Sequence, residues 1–273
     1  MDKIIITVAT TGNIPTRKLN PNVPLTPDEI AEDAYHCYQE GASVLHIHAR
    51  GKNGEPTTDP KVFNEIIKRV KAKCDIVIQI STGARGGKTY EDRAAPLDVK
   101  PEMASLATGS SNFATQVNAN PTDFIELLAR RMLEKNIKPE IELFDVAMIS
   151  NADFLIEKGL LKKPVQYNIV MGVPGSIKAT PKNFFHMLES LPKEATWSVM
   201  GVGMAHLQMI GLGIVLGGNV RVGLEDVLEY AKGVPASNVE LVKRAVKLAR
   251  AFGREPASPN EAREMLGLPA INK

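Results

Sequence analysis

The segment SVLHIHAR places His46 and His48 two residues apart in an otherwise apolar run. On an extended strand both imidazoles then point to one face near the strand's end, where they can reach a single metal ion. A pair of this kind can equally be hydrogen-bonded core histidines, so a third ligand has to decide. NVRVGLED supplies a candidate, because Arg221, Glu225 and Asp226 gather at the end of another apolar run. Two neutral imidazoles with the Glu225 carboxylate leave a fourth position open, which is the arrangement of catalytic zinc. The competing use of Glu225 and Asp226 is capping of the next helix.

Other polar groups stand at similar places. In ISTGARGG, Ser81, Thr82 and the following amides can form an anion nest for a carboxylate or phosphate, or an ordinary glycine turn. Glu142, midway along EIELFD, needs a partner if it points inward, and Arg221 is one it could meet. Arg85, Lys88 and Arg93 could meet a phosphorylated cofactor arm or form a solvated rim. GVPGS at 172–176 lacks the Walker lysine, and no GxGxxG follows the first strand, so nucleotide binding is not signalled.

These groups need a scaffold that brings distant strand ends together. Val- and Ile-rich runs at 4–10, 43–49, 75–81, 103–108, 140–145, 165–171, 196–202 and 218–225 read as buried parallel strands. Amphipathic segments between them read as helices. Thr26 with Pro27, and Asp59 with Pro60, mark two helix starts, and further helices are expected at 121–136, 149–158, 181–190, 205–212 and 238–252. Over 85–102 the glycines and prolines make the crossover short or irregular. Alternation alone also allows an open doubly wound sheet, but eight strand–helix units favour a (β/α)₈ TIM barrel, read as a single α/β domain over residues 1–273. Closure sets the last strand beside the first and near the second, which carries Glu225 to the two histidines. A barrel's active site is built from the C-terminal ends of its strands, where these residues lie.

Composition narrows the partners. Hydrophobic residues at 44% and charged ones at 23% suit an ordinary globular protein, and a net charge of +2 gives no broad field for nucleic acid. Two cysteines, Cys37 and Cys74, cannot form a disulfide framework and fit a reducing cytoplasm. The start lacks a signal-peptide pattern, and no run approaches the roughly 18 apolar residues of a membrane span.

TGNIPTR, LHIHAR, QISTG, DVKPEMAS, PEIELFD, GVPG, TWSVMGVG and GNVRVGLED, in this order, resemble the β-keto acid cleavage enzymes, in particular those that cleave 3-keto-5-aminohexanoate. The resemblance spans nearly the whole chain. It implies a TIM barrel, usually in a homotetramer, with one zinc on His46, His48 and Glu225. The implied reaction joins a β-keto acid and acetyl-CoA and yields acetoacetate and a new acyl-CoA. It also implies that Ser81, the backbone around Ala84, and Ser105 hold the substrate carboxylate, that Arg221 and Asp226 are the catalytic pair, and that Glu142 is a buried pocket glutamate. Asp226 would take a proton from the carbon beside the keto group, held ionised and oriented by Arg221.

The chain departs from that pattern at two positions. Ile14 stands where the aminohexanoate-cleaving members carry a glutamate that meets the substrate ammonium, so a neutral or apolar acyl group fits better and a cationic one loses its counter-charge. Ser105 replaces a threonine and keeps the hydroxyl. The competing functions are a metal-dependent aldolase or isomerase that needs no CoA, and a noncatalytic metal- or acyl-binding barrel. A base beside the ligands argues against the second.

Overall fold

The computed structural model describes residues 2–84 and 88–270. Eight parallel strands close into a barrel: β1 (Ile6–Ala9), β2 (Val44–Ile47), β3 (Val77–Ile80), β4 (Met103–Ala107), β5 (Lys138–Leu143), β6 (Gln166–Met171), β7 (Thr196–Gly201) and β8 (Asn219–Val222). Closure is between β8 and β1, with Arg221 in register beside Thr7, and β2 follows with His46 beside Ala9. The helices α1 (Pro27–Gln39), α2 (Pro60–Lys71), α3 (Tyr90–Ala94), α4 (Thr122–Glu134), α5 (Ala147–Glu157), α6 (Pro181–Glu189), α7 (His206–Val215), α8 (Asn238–Ala251) and α9 (Pro259–Leu266) complete the fold. Thr26 accepts from the Glu29 amide and Asp59 from the Lys61 amide, so the two sequence-read caps do start α1 and α2. The crossover after β3 is irregular: the five-residue α3 runs directly into a 3₁₀ turn at Ala95–Val99. Among the described residues, no helix is long and apolar enough to cross a membrane.

Apolar packing is divided in two. The larger core lies between strands and helices, and a smaller one sets Ile5, Val44, Val77 and Met103 against Ala257, Ala262 and Leu266. Helix α9 thereby plugs the N-terminal end of the barrel, fixed by the buried Arg263, whose guanidinium meets Glu102 at 2.6 Å and Asp75 at 3.1 Å. Above that plug the barrel residues are polar: Thr7, Gln79, Ser105, Glu140, Gln166, Asn168, Ser198 and Arg221 are all buried. Each such group needs a partner, so the barrel is built to hold polar chemistry.

Two expectations need correction. The run at 4–10 is not one strand: Asp2–Ile4 pairs outside the barrel with Arg254–Pro256, and the break comes at Ile5, whose amide donates to Asn219 Oδ1 at 2.8 Å. The final strand ends at Val222 rather than 225, because Gly223 takes φ 143° and turns the chain. A Cβ at Gly223 would lie 2.1 Å from the Ala9 carbonyl oxygen, so only glycine lets β8 hand over to the Glu225 segment this close to β1.

Asn238, the first residue of α8, supports that segment. Its Oδ1 accepts from the Leu224 amide at 2.7 Å, and its Nδ2 donates to the Thr10 carbonyl at 3.0 Å and to Asp33 Oδ2 at 2.5 Å. Burial pushes the Asp33 carboxyl up to about 6, opposed by the Asn238 hydrogen bond. Above that pH the folded chain carries a desolvated carboxylate. Between about 6 and the ordinary value of 3.8 the folded state takes up a proton before the unfolded one, so this contribution destabilises at neutral pH and vanishes in acid. Asp33→Asn keeps an acceptor for Asn238 without the charge. It should raise stability at pH 7.5 by on the order of 1 kcal/mol, a melting shift of about 2–4 °C, and by nothing below about pH 4. Scanning calorimetry of both proteins across that range checks it, and a gain that persists in acid would contradict the electrostatic cause.

Candidate active site

The two-residue spacing at the end of β2 sets the His46 and His48 rings on one face, with centroids 5.3 Å apart. Glu225 reaches them from the loop after β8, anchored by its amide on the Ala9 carbonyl at 3.1 Å. A Cβ at Gly12 would come within 2.7 Å of the Glu225 side chain, so this glycine leaves room for the carboxylate. His48 Nε2 lies 3.2 Å from Glu225 Oε1, and His46 Nε2 lies 3.7 Å from Oε2. The His46 Nδ1 is engaged by Gln79 Oε1 at 2.5 Å.

This arrangement fits a metal ion. His46 Nε2 and Glu225 Oε2 are buried polar atoms without a hydrogen-bond partner, and one ligand atom from each of the three residues lies within 4.8 Å of the others. Ligands about 2.0–2.2 Å from a tetrahedral metal stand roughly 3.3–3.6 Å apart, close to the spacings found. Protonation suits it as well. Burial, reinforced by the charge of Arg221, takes the His46 imidazole down to about 3, so it is neutral. Burial alone would raise the Glu225 carboxyl, but the charge of Arg221, with the hydrogen bond from His48, outweighs it and holds the group well below the usual carboxylate range. Neutral imidazole and ionised carboxylate are the forms that bind metal.

Arg221, 2% exposed, organises the acids around it. Its Nε and Nη2 grip Asp226 Oδ2 and Oδ1 at 3.0 and 2.9 Å, Nη2 also meets Glu225 Oε1 at 2.6 Å, and Nη1 reaches Glu142 Oε1 at 3.3 Å. The bidentate grip fixes the Asp226 plane. Burial pushes Asp226 up to about 6 against the pull of Arg221, with the Glu225 charge adding to the rise. Burial takes Glu142 further, to about 8, so at neutral pH it is a hydrogen-bond donor.

These groups floor a cavity of about 370 Å³. His48, Glu142, Arg221, Glu225 and Asp226 provide its polar end, while Phe144, Val170, Met200 and Val202 provide an apolar wall. Of the expected substrate-contacting residues, Ser81, Ala84 and Ile14 line it. Ile14 sits at the mouth, 58% exposed. Ser105 does not line it: its Oγ accepts from the Thr82 amide at 3.3 Å and its carbonyl from Thr82 Oγ1 at 2.8 Å, so it supports the loop from below. Ser81 Oγ accepts from the Gly83 amide at 3.0 Å, which gives the turn its nest shape.

The basic residues after β3 divide. Lys88 is exposed, and Arg85 lies outside the described residues. Arg93 is neither a free cation nor part of a solvated rim; it is buried, donating to the carbonyls of Thr82 at 3.1 Å and Ala119 at 2.6 Å and to Asn120 Oδ1 at 2.6 Å. It clamps the Ser81 loop to the end of a hairpin, Ser111–Phe113 paired with Gln116–Asn118, whose Phe113 joins the cavity lining. Sequence reasoning passed over this hairpin because its residues are mostly polar. It also passed over Gln79, although a glutamine alternating with isoleucines in a barrel strand is the same inward-polar signal that singled out Glu142.

The chain matches the beta-keto acid cleavage enzyme family over residues 3–268. It is 43% identical over 271 residues to the 3-keto-5-aminohexanoate cleavage enzyme of Acetoanaerobium sticklandii, covering 98% of this chain and 99% of that one. It is 37% identical to the 3-oxoadipate:acetyl-CoA acetyltransferase of Cupriavidus necator, covering 98% and 95%. In structure it resembles ObcA, solved as a ternary complex with a C4-CoA adduct and oxalate, with a TM-score of 0.76 at 22% identity over 91% of this chain and 68% of that one. That last likeness is one of fold. With the family matched from end to end of the barrel and relatives of this identity over almost their full length, the chain belongs to the β-keto acid cleavage enzymes.

Proposed function

We propose that the protein converts a β-keto acid bearing a neutral or apolar acyl group, with acetyl-CoA, into acetoacetate and the corresponding acyl-CoA. The observation that carries this is one cavity lined by His48 and Glu225, with the buried His46 completing their ligand set behind them, an Arg221-gripped Asp226 beside it, and an apolar wall opposite. Zinc on those three ligands would act as a Lewis acid toward the keto oxygen.

The remaining work falls to the chain's own residues. Ser81 and the backbone at Ala84 receive the substrate carboxylate, with Ser105 steadying that loop through Thr82. Asp226 takes the proton from the carbon between carboxylate and keto group. That carbon then attacks the acetyl-CoA thioester carbonyl, and the CoA thiolate leaves. The thiolate adds to the original keto carbon, and the bond between that carbon and the former nucleophile breaks. Asp226 returns its proton to the departing carbon, completing acetoacetate and leaving the acyl group on CoA. Arg221 keeps Asp226 aimed throughout, and Glu142 donates a hydrogen bond to oxygen in the cavity. Two unpaired buried thiols suit a reducing cytoplasm, where we place the enzyme, as a homotetramer.

The test is acetoacetate release from acetyl-CoA with neutral, anionic and cationic β-keto acids, using zinc-loaded and chelator-stripped protein. Zinc-dependent release with a neutral acid is expected; no release from any acid by loaded protein would favour CoA-free aldol chemistry. Ile14 tunes this preference more gently than a buried site would, because it is over half exposed and an ammonium there keeps part of its water. Ile14→Glu should therefore improve kcat/KM for an aminated β-keto acid relative to a neutral one by about tenfold, and an unchanged ratio would remove Ile14 from the specificity argument.

A further inference from the structure

We infer that Gln79 and Glu140 form a buried positioning pair that fixes the tautomer of His46, an inference that rests on the zinc reading of the His46, His48 and Glu225 site. An imidazole can ligate through Nε2 only if its single proton sits on Nδ1. Here the Nδ1 of His46 faces Gln79 Oε1 at 2.5 Å, an acceptor, so the proton is held at Nδ1 and the Nε2 lone pair is turned toward Glu225. Both residues are sealed from solvent, His46 at 1% exposure and Gln79 at 0%. No water competes for the bond.

A glutamine is an ambiguous partner, because its amide offers an acceptor at one end and a donor at the other. Turned over, Gln79 would present its NH₂ to His46, force the proton to Nε2 and close the ligand position. Something must fix the amide. The free end of Gln79, Nε2, is a buried donor with no close partner, and Oε1 of the buried Glu140 is an acceptor in the same condition. The two orphans are complementary, a buried donor on β3 and a buried acceptor on β5, with only β4 between their strands. The neighbouring groups are spoken for: Glu140 Oε2 takes Gln166 Nε2 at 3.4 Å, and Ser105 Oγ, on the strand between, takes the Thr82 amide. Glu140 Oε1 is thus the acceptor left to the amide end of Gln79, which leaves the Gln79 oxygen for His46. A reversed amide would set two acceptors against each other at that carboxyl and two donors at the imidazole's protonated edge.

The pair acts through His46 rather than on substrate, since neither residue lines the cavity. The test reads zinc affinity by chelator competition, and the His46 tautomer in metal-free protein by long-range nitrogen–proton NMR of labelled histidine. Gln79→Leu removes the acceptor and should weaken zinc binding by about 10–100-fold. Glu140→Leu should weaken it by about tenfold and turn the single Nδ1–H signal into a mixture. The deciding variant combines Gln79→Glu with Glu140→Leu: a carboxylate at 79 accepts with either oxygen and has no wrong orientation, so affinity should return to within about threefold of wild type. Loss of equal size in Glu140→Leu and in the double variant would overturn the inference, as would an unchanged tautomer in Glu140→Leu. Should Glu140→Leu not fold, Glu140→Gln still offers an oxygen to Gln79, and loss of the Nδ1–H tautomer there would count equally against it. Wild-type protein that binds no zinc would retire the zinc reading alone, because the tautomer is measured without metal.

Discussion

Asp226→Asn should leave zinc bound at wild-type affinity while kcat falls by about 10³-fold, the middle of the range that a positioned proton-transfer group contributes. The two halves of that result have separate causes. Asparagine cannot accept the substrate proton, so turnover is lost; but Asp226 is not among the groups whose free atoms converge with His46 and His48, so the ligand set survives. The substitution also disturbs Arg221. Asp226 receives two of its donors in a fork, and an amide NH₂ in place of one oxygen would meet an N–H head on. Arg221 retains the ionised Glu225 at 2.6 Å, which keeps its buried charge compensated, and Nη1 keeps Glu142 Oε1 as an acceptor at 3.3 Å, so the fold should lose only about 1–3 kcal/mol. Isothermal zinc titration, steady-state kinetics and a melting curve on the same preparation separate the three effects. Full activity in Asp226→Asn would remove the base; loss of zinc would mean that Asp226 holds the metal site together.

The sequence carried the site further than it carried its surroundings, for a physical reason. His46 and His48 share a face because of the two-residue strand period, which is local information, and Glu225 joins them through closure of eight repeated strand–helix units. Each step could be argued from spacing and alternation. Arg93 could not, because its partners are the carbonyls of Thr82 and Ala119 and the side chain of Asn120, and main-chain acceptors 11 and 26 residues away have no residue signature. Ser105 holds Thr82 and is not among the cavity-lining residues, a depth within the strand that alternation does not give. The split of the first strand depends on Asn219, more than two hundred residues on. Helix α9 was not among the expected helices, although the signal for its start was there: Ser258, Pro259 and Glu261 spell a capping box with proline in the first turn, and the structure has both reciprocal bonds. Its role as a plug under the barrel has no such signal, since that follows from where the chain end returns.

Removing a histidine ligand should abolish activity by stripping the metal, and comparing the two histidines separates that cause from damage to the fold. His48 lines the cavity, and its Nε2 meets Glu225 Oε1 at 3.2 Å, so His48→Ala deletes a ligand while opening space that solvent can fill. His46 is walled in and engaged by Gln79, so His46→Ala deletes a ligand, leaves a void and strands a buried amide oxygen. Zinc affinity should fall by more than about 10³-fold in both, with turnover lost in parallel, because two ligands cannot hold the ion that three ligands and an open position hold. Stability of the metal-free proteins should differ: His46→Ala is expected to lose about 2–4 kcal/mol and His48→Ala less than about 1 kcal/mol. His48→Ala therefore carries the functional argument, since its metal-free form should melt close to wild type while failing to bind zinc. Retention of zinc by His48→Ala would place the ion elsewhere. Unaltered acetoacetate release without bound zinc would separate the reaction from the metal altogether, leaving Asp226, Arg221 and Glu142 as the groups that must account for it.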